Sequence, residues 1–501
     1  MGALGNVDYG VDEDRPAPDD AAFVRRWSLL GLALILVAAV QSDGFHQPDE
    51  HFQVLELAAY KLGRAPLADL PWEFRARIRS WLQPGLYVVL LRAAGALGLA
   101  DPFRQALLLR LVSGLLSWTA LVALNRVSPL LVPSPDTRQW AVRLSWLAFV
   151  TPYLAVRTSS ECLATACAML GLALFCRSTL GPRDWPRLLG AGLLLGLAAQ
   201  FRFALGVMAA ALLLWGVIER RLDGRGLAAL LAAGLSTLGL GALVDRWGYG
   251  EWTLPALRYL QVNLGEGVAA GRFGSLPFYG YLTLALQNAL APLILLAFLG
   301  AAVAWVRAPR HVLTAATLPF VLVHALIAHK EMRFLFPLAP LAPYLLALAA
   351  APRGELAPWL RRRPARVALQ AFLVLDLVGL AALTVVPTRP DIGLQRYVYR
   401  RWPDRFEAFL LSSDSPWADG ALQMHFYRPR ELHLDPLASL DSIKERPRAL
   451  VIAGPFDRPA QPGFSCEALY RPFPAWVEGL VKDRPVPGHS LHRCQRVVAA
   501  S

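Results

Sequence analysis

From residue 27 to residue 387 long apolar runs alternate with short polar breaks, and most runs approach the roughly 20 residues an α-helix needs to cross a bilayer. Eleven spans are expected, at 27–42, 105–125, 140–156, 159–177, 187–201, 203–219, 226–246, 281–306, 311–328, 333–351 and 366–387. A further run, "GLYVVLLRAAGALGLA" (85–100), is apolar enough to cross, but a crossing there breaks the alternation of sides. It is expected to be an interfacial or half-inserted helix inside a long outer loop, 43–104. After residue 388 the pattern changes to a short apolar strand, "RALVIAGP", and alternating stretches punctuated by Pro and Gly. A tail of about 110 residues can bury its own core. The expected layout is an N-terminal cytoplasmic segment 1–26, a helical membrane region 27–387 and a small α/β domain 388–501.

The sides follow from charge. The most basic short breaks are "CRSTLGPRDWPR", "ERRLDGRG", "WVRAPRH" and "APRGELAPWLRRRPAR". Placing all four in the cytoplasm satisfies the positive-inside rule. The opposite face then holds loop 43–104, the turns "VRTSSE" and "QFRF", loop 247–280, "HKEMR" and the tail. The first 26 residues are acidic and Pro-rich, and no A-x-A site follows the first helix, so that helix is expected to be retained.

Composition sharpens this picture. The 501 residues are 55% hydrophobic and only 17% charged, below the roughly 25% of soluble domains, which points to a multi-pass membrane protein. The net charge of +13 comes almost wholly from 46 arginines against 4 lysines. Much of it lies in short loops without an aromatic-interleaved basic stripe, so membrane lipid headgroups rather than nucleic acid are the expected contacts. Cys162, Cys167 and Cys176 fall in one apolar stretch and read as buried thiols. Cys466 and Cys494 stand alone in the tail; a bridge between them is open if the tail is extracytoplasmic.

Ionisable groups gather on the outer face, where they mark candidate function. The first outer loop carries "GFHQPDEHFQVLE", with His46, Asp49, Glu50, His51, Gln53 and Glu56, and then "PWEFRARIRSWLQP", with Arg75, Arg77 and Arg79. The turns add Arg157, Glu161 and Arg202; loop 247–280 adds "RYLQVNLGEG", with Asn263. "HKEMR" adds His329, Lys330, Glu331 and Arg333. Carboxylates beside cations on one face suit a site that moves a proton and holds a lipid phosphate. Each piece has a plainer reading. Pro48, Asp49 and Glu50 are favoured in any first helical turn. The four residues His46, Asp49, Glu50 and His51 are all metal-ligand types, but their spacing matches no known metal signature. The arginines and "HKEMRF" could equally be headgroup anchors.

"PDEHFQVLE", "PWEFRARIRSWLQPGLY", "RTSSE", "DRWGYGEWTLPALRYLQVNLGEG" with "FGSLPFYGY", and "HKEMRFLFPLAPL" together resemble the motif series of one family. It comprises the lipid-phosphate-mannose-dependent mannosyltransferases that build glycosylphosphatidylinositol anchors and lipid-linked oligosaccharides; within it, the enzymes adding the third mannose of the anchor look most alike. The likeness runs over residues 45 to 342. It implies a type C glycosyltransferase bundle with its active site on the non-cytoplasmic face and an outer-loop carboxylate as general base, and inversion at the sugar. Carried over, the base is Asp49, with Glu50 second. His329, Lys330 and Arg333 would hold the donor phosphate, with Arg202 in reserve. His46, Gln53, Arg77, Arg79, Arg157, Glu161 and Asn263 would meet the acceptor or its lipid head. The outer segments contain no DxD motif, and a lipid-phosphate donor needs no nucleotide-bound metal, so neither metal nor cofactor is expected.

The donor is then a polyprenyl-phosphate sugar, mannose by resemblance, in a bacterial inner membrane, which the Arg-, Ala- and Leu-rich composition favours. In the endoplasmic reticulum of a eukaryote it is the dolichyl equivalent. The acceptor is a lipid-linked or cell-surface glycan. Rival readings are a transferase for another sugar, a transporter or flippase for a lipid-linked glycan, and a scaffold in which Asp49 serves only the helix start. A transporter would show paired halves and charges at mid-membrane; this sequence has unlike halves and charges on one face.

Overall fold

The computed structural model describes residues 18–182, 184–351, 362–443, 448–459, 464–474, 476–477 and 487–496. Most of the acidic N-terminal segment and most of the loop "APRGELAPWLRRRPAR" lie outside them. Among the described residues six helices are long and apolar enough to cross a membrane: Asp20–Gln41, Pro102–Arg126, Ser160–Thr179, Gly224–Tyr249, Met332–Ala350 and Arg363–Val385. Shorter apolar helices are Leu205–Ile218, Ala291–Arg307 and Val312–Leu326. The chain is a polytopic helical membrane protein carrying a small sheet at its C-terminal end.

Several expected spans are built from two pieces, with a proline in the first turn of the second piece or within the segment. The run at 140–156 divides into Pro135–Leu147 and Thr151–Ala155, with Pro152 in the first turn of the second helix. Proline is favoured in a first helical turn, where its missing N–H costs nothing, so it suits the restart after Ala148 turns the chain out of the first helix. The freed backbone N–H of Phe149 donates to Asp376 Oδ1 at 2.9 Å, so the acid in the last long helix serves this break. The run at 281–306 likewise divides into Gly280–Leu286 and Ala291–Arg307, where Pro292 starts the second helix. The run at 333–351 begins as a tight 3₁₀ helix, Met332–Leu341, containing Pro337 and Pro340, and relaxes to α-helix over Ala342–Ala350.

Helix Ser160–Thr179 is the most enclosed of the long helices and packs between Trp185–Phe201 and Pro102–Arg126. Close approach between Trp185–Phe201 and Gly224–Tyr249 depends on Gly192, where an added Cβ would lie 2.2 Å from the Leu230 carbonyl oxygen. Cys162, Cys167 and Cys176 are free, buried thiols of this core. The segment expected at the interface forms helix Leu82–Ala96, too short at 15 residues to cross unaided. It buries Tyr87, Val88 and Leu91 against Val54, Leu55 and Ala58 of the first outer loop and against Phe426 and Tyr427 of the tail.

The tail begins with helix Asp391–Arg401, followed by strands β1 Arg405–Leu410, β2 Ala418–Asp419, β3 Leu422–Gln423, β4 Glu431–Pro436, β5 Arg448–Ala453, β6 Phe464–Tyr470 and β7 Ser490–Arg496. Five strands form one mixed sheet in the order β4-β1-β5-β7-β6, and β2 pairs with β3 as a small hairpin. β1 runs parallel to β4 and β5; β7 runs antiparallel to β5 and β6. Cys466 and Cys494, directly opposed on β6 and β7, form a disulfide.

The tail is wired to loop 43–104. Thr388 and Arg389 donate backbone N–H groups to the Asp43 carbonyl. Asp43 pairs through its side chain with Arg110 and Arg396. Farther on, His425 Nε2 lies 2.7 Å from Asp69 Oδ2. The backbone N–H groups of His425 and Phe426 donate to Glu56 Oε1 at 2.8 and 3.0 Å.

Candidate active site

The stretch "PDEHFQVLELAAYK" is one helical unit with an irregular middle. Pro48–Glu50 is a first turn with proline at its start, His51–Leu55 widens into a π-turn, and Glu56–Lys61 returns to α-helix. Proline and acids suit a first turn, and π-turns recur at functional sites. The π-turn fans the acids out to different partners. Glu50 Oε2 accepts from the His46 backbone N–H at 2.8 Å, and its Oε1 accepts from Thr158 N and Oγ1 at 2.7 and 3.1 Å. Glu56 Oε1 lies 2.7 Å from His51 Nε2 in the interior. Of these acids Asp49 turns toward a cluster of charges, where its Oδ2 lies 2.7 Å from Arg333 Nη2 and 3.5 Å from Arg79 Nη2.

Around that pair the charges close on one another. Arg333 grips Glu331 with two N–H groups, Nε at 2.7 Å and Nη2 at 2.8 Å. His329 Nε2 lies 3.0 Å from the same carboxylate. Arg202 Nη2 lies 3.2 Å from Glu161 Oε1 and its guanidinium stacks over Phe334. Arg79 stacks over Tyr259. The cluster thus sets Arg79, Arg202 and Arg333 against Asp49, Glu161 and Glu331, three charges of each sign. Burial by itself would raise the Asp49 carboxyl, but Arg333 and Arg79 outweigh it and hold the group below the usual carboxylate range. Nearby Glu73, hydrogen-bonded by Gln53 Nε2 at 2.9 Å, goes the other way: burial pushes it up against the pull of Arg79, and the Asp49 charge adds to the rise.

Two clefts flank this cluster. One, of about 490 Å³ and open to solvent, is lined by Gln53, Arg79, Ser80, Gln83, Arg202 and Tyr259 among others. The other, of about 540 Å³, runs among apolar side chains of helices Pro102–Arg126, Thr151–Ala155 and Ser160–Thr179 and segment Met332–Leu341, with Glu161 in its wall. Glu161 and Arg202, joined as an ion pair, stand one in each cleft.

The structure brings Asp49, Arg79, Arg202, Arg333, Glu161 and His329 of the expected site together, and Gln53 lines the adjoining cleft. Other expected residues are engaged elsewhere. Glu50 clamps the outer loop to the turn at Thr158. All five N–H groups of Arg157 are taken inside the protein: by the carbonyls of Tyr153, Gly44 and Ser42 and the hydroxyls of Thr388 and Ser42. The Lys330 ammonium is buried and donates to the carbonyls of Leu276 and Ile327. Arg77 sits at the surface, in a left-handed backbone conformation, paired with Glu251. His46 Nδ1 lies 2.8 Å from the Tyr153 hydroxyl, and burial lowers its pKa. Asn263 is half-buried on the irregular turn Gln261–Gly265.

The sequence profile of the Alg9-like mannosyltransferase family matches residues 27–388, which span the whole of this cluster. The chain belongs to the Alg9-like mannosyltransferase family. Its relatives include mannosyltransferase APTG1 of Arabidopsis thaliana, 27% identical over 64% of this chain and 57% of that protein. GPI alpha-1,2-mannosyltransferase 3 of Mus musculus is 26% identical over 71% of this chain and 63% of that protein, and GPI mannosyltransferase 3 of Yarrowia lipolytica is 30% identical over 64% and 61%. The chain therefore spans about three-fifths of the length of these relatives. Among solved structures, ArnT from Cupriavidus metallidurans bound to undecaprenyl phosphate superposes with a TM-score of 0.50 at 11% identity, covering 96% of this chain and 99% of that one. The Archaeoglobus fulgidus oligosaccharyltransferase superposes with a TM-score of 0.50 at 12% identity, covering 82% and 62%. These likenesses establish the type C glycosyltransferase fold.

Two acids in or beside the cluster were given no role in the sequence-based site. Glu331 is the bidentate partner of Arg333, and Glu73 lies beside Asp49 and Arg79. Glu331 was legible as the acid inside "HKEMR". Glu73 carried no signal beyond its place in an arginine-rich loop.

Proposed function

We propose that this protein transfers mannose from a polyprenyl- or dolichyl-phosphate donor to a lipid-linked or surface glycan on the non-cytoplasmic face, with Asp49 as general base. The observation that carries the reading is the position of Asp49, the one acid of its helix turned toward three arginines between two clefts. The membership in the Alg9-like mannosyltransferase family supports the sugar. In the transfer, the Asp49 carboxylate takes the proton from an acceptor hydroxyl. The hydroxyl oxygen forms the new bond to the anomeric carbon of the mannose. The bond from that carbon to the phosphate oxygen breaks, and the lipid phosphate leaves with the electron pair. Arg333, Arg202 and Arg79 stabilise the departing phosphate, which requires cations more than an acid. In this reading residues 27–387 form the catalytic membrane domain, 1–26 face the cytoplasm and 388–501 form an outer-face domain.

The test is mannose transfer from synthetic polyprenyl-phosphate mannose by purified protein in lipid nanodiscs. Asp49→Asn, with unchanged thermal stability, is expected to lower the rate by about three orders of magnitude, within the range of a lost general base. Equal transfer by variant and wild type rules out Asp49 as the base. No transfer by either rules out this donor.

A further inference from the structure

A carboxylate that must accept a proton is here tied to two guanidinium groups, and both contacts run through the same oxygen, Oδ2. In that state Asp49 is a poor base. At the same time, the arginines that would receive a lipid phosphate already have carboxylate partners. The cluster is therefore closed twice over: its base is masked and its phosphate site is filled.

The three acids are not held alike. Glu331 is fixed by both of its oxygens, with Arg333 across them and His329 on one. Glu161 is buried in the wall of the apolar cleft. Asp49 is gripped through one oxygen, sits in the first turn of its helical unit and is more open to solvent than Glu161. Of the three, it is the partner a competing anion displaces most easily. An entering phosphodiester brings a single negative charge and two free oxygens toward Arg79 and Arg202 in the open cleft, and Arg333 shares the Asp49 oxygen with Arg79. Charged groups facing Asp49 are Arg333, Arg79 and Arg202 on the attractive side and Glu73, Glu161 and Glu331 on the repulsive side. Once its arginines turn to the phosphate, only the repulsive set is left at full strength, and the carboxylate's affinity for a proton rises.

We propose that the donor phosphate and Asp49 compete for Arg333 and Arg79, so that donor binding itself releases the base. The inference rests on the donor reading given above. It makes catalysis ordered: the acceptor hydroxyl meets a competent base only after the lipid phosphate is seated. Glu331 and Glu161 stay in place during the exchange and hold Arg333 and Arg202 for the incoming anion.

The experiment is equilibrium binding of undecaprenyl phosphate, with undecaprenol as the uncharged control, to the full-length protein in phosphatidylcholine nanodiscs. Asp49→Asn and Asp49→Ser are each measured alongside their thermal stability. Removal of the competing carboxylate is expected to tighten undecaprenyl phosphate binding by about tenfold in both variants, the scale of one partly buried charge pair, with undecaprenol unchanged. Equal or weaker phosphate binding by the variants overturns the competition while the donor reading stands, and so does equal tightening of undecaprenol. Absence of phosphate binding by wild type and variants alike overturns both.

Discussion

Asp49 Oδ2 lies 2.7 Å from Arg333 Nη2, a contact between loop 43–104 and the proline-rich 3₁₀ segment Met332–Leu341. Its sign sets a pH dependence. The carboxyl is held below its ordinary value of about 4 because Arg333 and Arg79 outweigh burial. The stability this pairing contributes is fully present above that ordinary value and is lost as pH falls through the lower folded value. The acid limb of kcat/KM, which reports the free enzyme, is therefore expected below the ordinary carboxylate range. The acid limb of kcat, which reports the loaded enzyme, is expected at higher pH, because the phosphate has taken the arginines. Coincident limbs in the two profiles would count against the exchange.

Arg157 is expected to behave as a structural residue. Lysine keeps the charge but offers three donors where arginine offers five in a fixed fork. Arg157→Lys leaves buried acceptors around Ser42, Gly44 and Thr388 unpaired, at a cost of about 1–3 kcal/mol. The expected result is a lower melting temperature with KM for the lipid donor unchanged. A raised KM at unchanged stability would restore Arg157 to the substrate site.

Glu56 is expected to hold the tail on loop 43–104. Glu56→Ala removes the acceptor for His425 N and Phe426 N and leaves His51 without its acidic partner. With these groups buried, the loss should be on the order of 3 kcal/mol. Hydrogen–deuterium exchange should quicken at residues 424–427 while the central strand β5 stays protected. Unaltered exchange at His425 and Phe426 would mean that the tail docks by its apolar contacts alone.

Much of this arrangement was legible beforehand. The apolar runs marked the helices, and the crowding of ionisable groups on one face marked the cluster that contains Asp49, Arg79, Arg202 and Arg333. What the sequence withheld were partners that are backbone carbonyls or acids far along the chain. Arg157, Lys330 and Arg202 are all basic residues near helix ends on the same face. Two of them end on carbonyls and one on Glu161, and no periodicity distinguishes these fates. Glu50 and Asp49 are adjacent acids in one helical turn, and only the rotation of the chain decides which meets Thr158 and which meets Arg333. Asp376 lies inside the expected span 366–387, and its service to the Phe149 break depends on a bend more than two hundred residues away.

The balanced charge of the cluster also bears on what the site ignores. A bare pocket of three arginines opening beside a bilayer would fill with the headgroups of ordinary anionic phospholipids, which far outnumber any sugar carrier. With every guanidinium already facing a carboxylate, the cleft offers such headgroups little net attraction. On the proposed reading, a ligand that adds chain contacts to its phosphate, with or without a sugar, gains what a bare headgroup lacks to break the internal pairs. On the same reading, the internal pairs protect the site from the lipids that surround it.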